Sequence, residues 1–187
     1  MTGKTTILAH DHAELDQLLA EFFSVLSAHE IEKSFAMLDC FWARLAVHIR
    51  AEHLHLFPSL LRALERPAQE NANEGLSSQI ARSTISRLQA DHDFFMRELA
   101  AAVKQLRELR SSAHGDESEV LLQVQQQVEG IRRRLEAHNE LEESQVYSWP
   151  RFLLEPAERV SLTESMQREL NDFPSRFRSG ESLRSRI

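Results

Sequence analysis

Four long segments of this chain place an apolar side chain at every third or fourth position, and that spacing commits each of them to a helix with one buried face. The first, 5–28, carries Leu8, Leu15, Leu19, Phe22 and Leu26 on its stripe. The second, 31–57, carries Phe41, Leu45 and Leu56, and Pro58 can open a short continuation because proline fits the first turn of a helix. The third, 77–110, carries Ile85, Leu88, Phe95, Leu99, Val103 and Leu106. The fourth, 117–148, carries Leu121, Val124, Val128, Ile131, Leu135 and Val146. A shorter fifth helix is expected from Glu155-Pro156 to about Leu170, with proline at its first position. No segment has the two-residue alternation of a strand. The connection around His29 is very short, and the stretches 66–78 and 111–118 hold the Gly, Pro, Asn and Ser of longer loops. The pattern predicts an all-α fold, an antiparallel up-down-up-down four-helix bundle over 1–150. The fifth helix and a polar, mobile tail follow over 151–187.

Composition narrows the function classes. A formal net charge of −7 argues against a general nucleic-acid surface, and the basic run at 132–134 reads as a solvated helix face. Cys40 is the single cysteine, so neither an intramolecular disulfide nor a thiolate-rich zinc site can form. No segment reaches the ~20 apolar residues of a membrane span, and the N-terminus lacks the apolar run of a signal peptide. A cytoplasmic protein with no membrane partner is the expectation.

The stripes are interrupted by residues that do not belong in a core. His12 lies between Leu8 and Leu15, His48 three after Leu45, His92 between Leu88 and Phe95, and His138 three after Leu135. Glu52 and Glu142 each follow one of these histidines by four, on the same helix face. Burying six such groups costs free energy unless they pair with each other or bind metal. Their heights agree. In an antiparallel pair, residues equidistant from a turn lie side by side. Midway between His12 and His48 is residue 30, between Glu52 and His92 residue 72, and between His92 and His138 Gly115. All three midpoints fall in expected connections, which puts the four histidines and both glutamates in one layer. Two His-x-x-x-Glu pairs and two further histidines make a six-ligand cage. Imidazole and carboxylate together suit iron, zinc, copper or nickel, and six ligands shared by two ions leave positions open for a small exogenous molecule. The plainer alternative is a polar layer whose members hydrogen-bond one another.

The other histidines divide by face. His55, seven after His48, is expected to point inward as a further ligand or a core histidine. His53 and His10 are expected off the stripe, solvated or just outside the cage, and His29 and His114 in turns. Asp11 and Asp91 each precede a candidate ligand and are placed either to orient imidazoles of neighbouring helices or to solvate the surface. Phe95, Met96 and Leu99 would line a pocket beside the ions or simply fill the core. Cys40 reads as a buried inert thiol.

The segments ILAHDHAELDQLL, HIRAEHLHLFP, LQADHDFFMREL and HNELEESQVYSWP also form a loose internal repeat, Asp-His and then His-x-x-x-Glu in each half. Together they resemble the hemerythrin-like (HHE cation-binding) family over about residues 5–150. The resemblance implies a four-helix bundle around two non-haem iron ions, carboxylate- and oxo- or hydroxo-bridged, with His12, His48, Glu52, His92, His138 and Glu142 as ligands. It implies reversible binding of a diatomic ligand, O2 or NO, for sensing, storage or stress protection. Where oxygen-carrying hemerythrins have a second histidine on the third helix this chain has Met96, and in place of a closing His-x-x-x-x-Asp it has His138-x-x-x-Glu142. Two histidines per iron is similar to the di-iron proteins of iron-centre repair. A redox enzyme or iron donor is therefore the second expectation, and a structural bundle with an incidental metal the third.

Overall fold

The computed structural model describes residues 6–66, 77–111 and 117–178, and these are helices joined by short turns, with no strand among them. The long helices are α1 (Thr6–Ser27), α2 (Ile31–Ala51), α4 (Ser78–Ser111) and α5 (Glu117–Ser144). Helix α2 runs without a break through a π-helical turn, Glu52–Leu56, into α3 (Phe57–Leu64). After α5 come a 3-10 turn, Val146–Ser148, then α6 (Pro150–Leu153), α7 (Pro156–Asn171) and α8 (Ser175–Arg178). The loops expected within 66–78 and 111–118 and the tail fall largely outside the described residues.

Helix α1 ends where the amide of Glu30 bonds the Val25 carbonyl and that of His29 bonds the Leu26 carbonyl, with His29 left-handed at φ 58°. This is the Schellman closure, here with histidine at the position glycine usually takes. It turns the chain back within three residues, so later residues of α1 meet earlier residues of α2. Asp11 meets His48, and Glu14 meets Arg44. The same order holds between α4 and α5, where Asp91 meets His138 and Glu98 meets Gln127.

The apolar stripes collect into two clusters, one on each side of the polar layer. One holds Leu15, Phe22, Phe41, Leu45, Leu99 and Val128. The other holds Leu8, Leu56, Phe57, Leu60, Leu88 and Tyr147. Helix α7 joins the second cluster through Leu162, Met166 and Leu170, so the C-terminal helix shares the core that closes one end of the layer. Its start is fixed by Pro156 in the first turn and by Glu158, whose carboxylate accepts from the Glu155 amide at 2.9 Å.

Two elements differ from the sequence reading for local reasons. The second helix passes residue 52 in π geometry, which turns the chain less per residue than an α-helix. The fourth stops at Ser144 instead of 148, because the backbone tightens into the 3-10 turn before Pro150.

Candidate metal centre

The layer between the clusters holds all six expected side chains, His12, His48, Glu52, His92, His138 and Glu142, each buried. Each comes from a helical stripe: α1 gives His12, α4 gives His92, α5 gives His138 and Glu142, and α2 with the start of the π turn gives His48 and Glu52. Their polar atoms converge. The Nε2 atoms of His12 and His48 face each other at 3.1 Å, and those of His92 and His138 at 2.9 Å. Glu142 reaches both pairs, Oε2 to His12 at 3.4 Å and Oε1 to His138 at 3.1 Å. Glu52 Oε2 lies 3.3 Å from His92 and 3.8 Å from His48. Two groups can therefore hold an ion: Glu52, His92, His138 and Glu142, and His12, His48 and Glu142, with the donor atoms of each group within 4.8 Å of one another.

The outward nitrogens are held too. His48 Nδ1 donates to Asp11 at 2.9 Å, His138 Nδ1 to Asp91 at 3.4 Å, and His12 Nδ1 to Glu143 at 2.8 Å. A carboxylate can only accept, so each Nδ1 carries a hydrogen and the neutral ring turns its Nε2 lone pair inward. Arg44 and Arg134 in turn clamp Asp11 and Asp91. Thus both aspartates orient an imidazole of the neighbouring helix, the first of the two roles the sequence left open.

Glu52 and Glu142 are 0% exposed, and Glu52 Oε2 and Glu142 Oε1 accept no well-directed hydrogen bond. Buried carboxylate oxygens of this kind are costly unless a cation meets them. A metal ion among the facing imidazoles fits both oxygens. In the plainer reading, protonated imidazoles meet them instead, His138 Nε2 lying 3.1 Å from Glu142 Oε1 and His92 Nε2 3.3 Å from Glu52 Oε2. In the absence of metal, protons carry the compensating charge. Burial pulls His12 down, yet the carboxylates of Glu142, Glu143 and Glu52 outweigh it and raise the imidazole to about 9. Burial likewise opposes, and Glu142 with Glu52 and Asp91 overcomes, in raising His138. Glu142 is driven well below the carboxylate range because His12 and His138 overcome the effect of burial.

Tyr147 is the residue the sequence reading missed. Its hydroxyl lies 2.9 Å from Glu52 Oε1 and 3.0 Å from Glu142 Oε2, and 3.2 Å from His12 Nε2. Burial, then the charges of Glu142 and Glu52, push its pKa well above the ordinary phenol value, so it stays protonated as a donor. Helical counting cannot find it, since it follows the end of α5 and is carried back by the 3-10 turn. The one signal was the aromatic that follows the glutamate in both repeats, Phe57 and Tyr147. Replacing Tyr147 by Phe leaves the two glutamate oxygens without that donor. The chelator-treated variant is expected to lose about 2 kcal/mol in urea unfolding, and an unchanged midpoint would show that the hydroxyl is not their donor.

The remaining histidines sort differently from expectation at one place. His55 does not point into the layer. The π turn shifts its phase, and its Nε2 lies 3.5 Å from Glu169 of α7. His53 touches the layer from outside, its Nε2 2.9 Å from His92 Nδ1. His10 is exposed beside Glu14. Phe95 and Leu99 are fully buried core, Phe95 standing edge-on to His138 with centroids 5.2 Å apart. Cys40 is buried, and burial followed by the nearby Asp39 raises its thiol pKa, which suits an inert core residue. Among the described residues no helix is long and apolar enough to cross a membrane. No protein-family model, curated protein or solved structure matches the chain.

Proposed function

We propose that this chain is a hemerythrin-like protein, an antiparallel up-down-up-down four-helix bundle whose polar layer binds two iron ions and, on them, O2 or NO. The observation that carries the reading is the pair of fully buried carboxylate oxygens, Glu52 Oε2 and Glu142 Oε1, that accept no well-directed hydrogen bond and lie within 4 Å of the Nε2 atoms of His48, His92 and His138. Iron at the layer would supply a redox-active Lewis acid with ligand positions left for a diatomic molecule. His12, His48, His92 and His138 would hold it through Nε2, with Glu142 shared between the two positions and Glu52 beside it. Asp11, Asp91 and Glu143 keep those rings in the tautomer that can bind. The apolar clusters on both sides exclude bulk water from whatever is held between them.

A second reading, a redox enzyme or an iron donor in place of a carrier, is favoured by Tyr147. Its hydroxyl donates into the layer at 2.9 Å from Glu52 and 3.0 Å from Glu142, a polar group placed beside the reacting positions, where it could steady a product formed there.

The aerobically purified chain, expressed with added iron, is expected to carry close to two irons per chain by elemental analysis. One tightly bound zinc with no iron would overturn the assignment. An anaerobic ferrous sample should then change its spectrum on adding O2 or NO. Recovery of the starting spectrum under vacuum supports a carrier, and turnover or loss of iron supports the enzyme.

A further inference from the structure

The two glutamates of the layer stand on unlike backbone. Glu142 lies within the regular α5, which runs on to Ser144. Glu52 lies where α2 gives way to the π turn, and its carbonyl accepts from the Phe57 amide, five residues on. The cause is in the sequence. Pro58 has no amide hydrogen for the Leu54 carbonyl, and in α geometry its ring would press against that carbonyl, so the helix widens just before it. A π turn is a rare backbone state, found mostly as a single turn at functional sites. Widening alone leaves open how far Glu52 is turned toward the layer, and a contact that spans the turn can fix it.

Glu169 of α7 makes that contact. Its Oε1 accepts from Arg50 Nε, two residues before Glu52, and its Oε2 lies 3.5 Å from His55 Nε2, three residues after Glu52. Asp172 reaches Arg50 as well, at 3.3 Å. The Glu169 side chain is only 17% exposed, and a partly buried pair is screened less than a surface one. Beneath it Leu56 and Phe57 share an apolar cluster with Met166 and Leu170, so α7 is seated as the fixed side of the bridge. Ninety residues on, the equivalent positions are Glu140 and Gln145, so the arginine and histidine that Glu169 gathers belong to the Glu52 half alone.

We propose that Glu169 is a positioning residue of the metal centre: by tying Arg50 and His55 to α7 it sets the π turn so that Glu52 reaches the ion between His92 and His138. This rests on the two-iron reading above. Glu169 touches no ion and acts through Glu52, which makes the C-terminal helix a part of the site. A second pair supplies the comparison. Arg66 and Glu158, 3.0 Å apart, tie α7 to the chain just past α3 without spanning the turn.

The test is an anaerobic titration of the metal-free full chain with Fe(II), in competition with a chelator of known affinity, with iron per chain read by elemental analysis. Glu169→Ala should weaken one of the two binding steps about tenfold, the lower end of the loss typical for groups outside the ligands, and leave the other within about twofold. Glu169→Gln keeps an acceptor for Arg50 and can donate to His55, so it should restore most of that loss. Arg66→Ala should bind both ions as the wild type does. In a Glu52→Ala background, adding Glu169→Ala should cost nothing further, because the residue it positions is already gone. A Glu169→Ala chain that binds both ions normally, an equal loss in Arg66→Ala, or a further loss in the double variant would overturn the inference while the two-iron reading stands. A wild-type chain that takes up no iron, or one ion only, would remove that reading and the inference with it.

Discussion

Glu142→Ala is expected to leave the chain almost without bound iron, while Glu52→Ala keeps roughly one ion and His53→Ala close to two, because loss of a ligand costs more than the ~10–100-fold lost with an outer partner. The ranking follows from the geometry. Glu142 is common to both donor groups, reaching His12 with one oxygen and His138 with the other. Glu52 completes only the group with His92 and His138. His53 touches one ligand from outside. Removing Glu142 also leaves His12 and His138 without their main counter-charge, and breaking a buried pair from one side costs about 3–5 kcal/mol. Glu142→Gln retains the shape and serves as a second variant if the alanine form is too unstable to purify. Iron per chain measured beside helix content by circular dichroism decides the matter. Equal occupancy in all three variants would mean that the metal does not sit on this face of the helices.

Stripped of metal by a chelator, the protein should lose stability as the solution is made alkaline, in the range where most proteins change little. The His12 imidazole is raised from an ordinary 6.5 to about 9 in the folded chain. A group whose folded pKa is raised contributes stability in full below its unfolded value, and that contribution disappears as pH climbs through the folded value. The window is therefore about pH 6.5 to 9. At 1.36 kcal/mol per unit the His12 contribution is about 3 kcal/mol. His138 is raised as well and adds in the same direction. Glu142 and Asp11 are lowered, Asp11 because His48 and Arg44 outweigh its burial. Their contribution has the opposite sense, present above the ordinary carboxylate values and lost as pH falls through the lowered ones. Urea midpoints of the stripped protein at pH 6, 8 and 10 should fall steadily, and fall less in His12→Gln. With metal bound the trend should vanish or reverse, since ions displace these protons. A midpoint equal at pH 6 and pH 10 in the stripped protein would rule out imidazolium as the charge that balances the glutamates.

The part of this structure legible in the sequence is the part that obeys helical counting. His12, His48, His92 and His138 stood out because each sits three or four residues from an apolar neighbour on a buried stripe. The short turn at His29 set the register of α1 against α2, and the six side chains lie together where three turn midpoints placed them. Counting fails where the helix departs from its usual pitch. His55 was expected inward from its distance to His48, but the π turn between them rotates it to Glu169. Tyr147 lies past the end of α5, so no periodic rule reaches it. The docking of α7 onto the second apolar cluster depends on contacts between residues far apart in the chain, such as Arg50 with Glu169, which local spacing does not encode.

The two apolar clusters plug the layer at top and bottom, which makes the axis of the molecule a closed road. Anything that enters or leaves, whether an ion, a proton carrier or a gas molecule, has to cross a side wall between helices. That wall is thinnest where a partly exposed side chain rests directly on a buried one, at Glu143 over His12 and at His53 over His92. Outside the first of these lies an open groove bordered by Asp16, Glu136 and Glu140, while at the second His53 packs against the buried Phe57 ring, which stacks on His92. Glu143 thus meets solvent among carboxylates, which attract cations, whereas His53 rests against an aromatic ring.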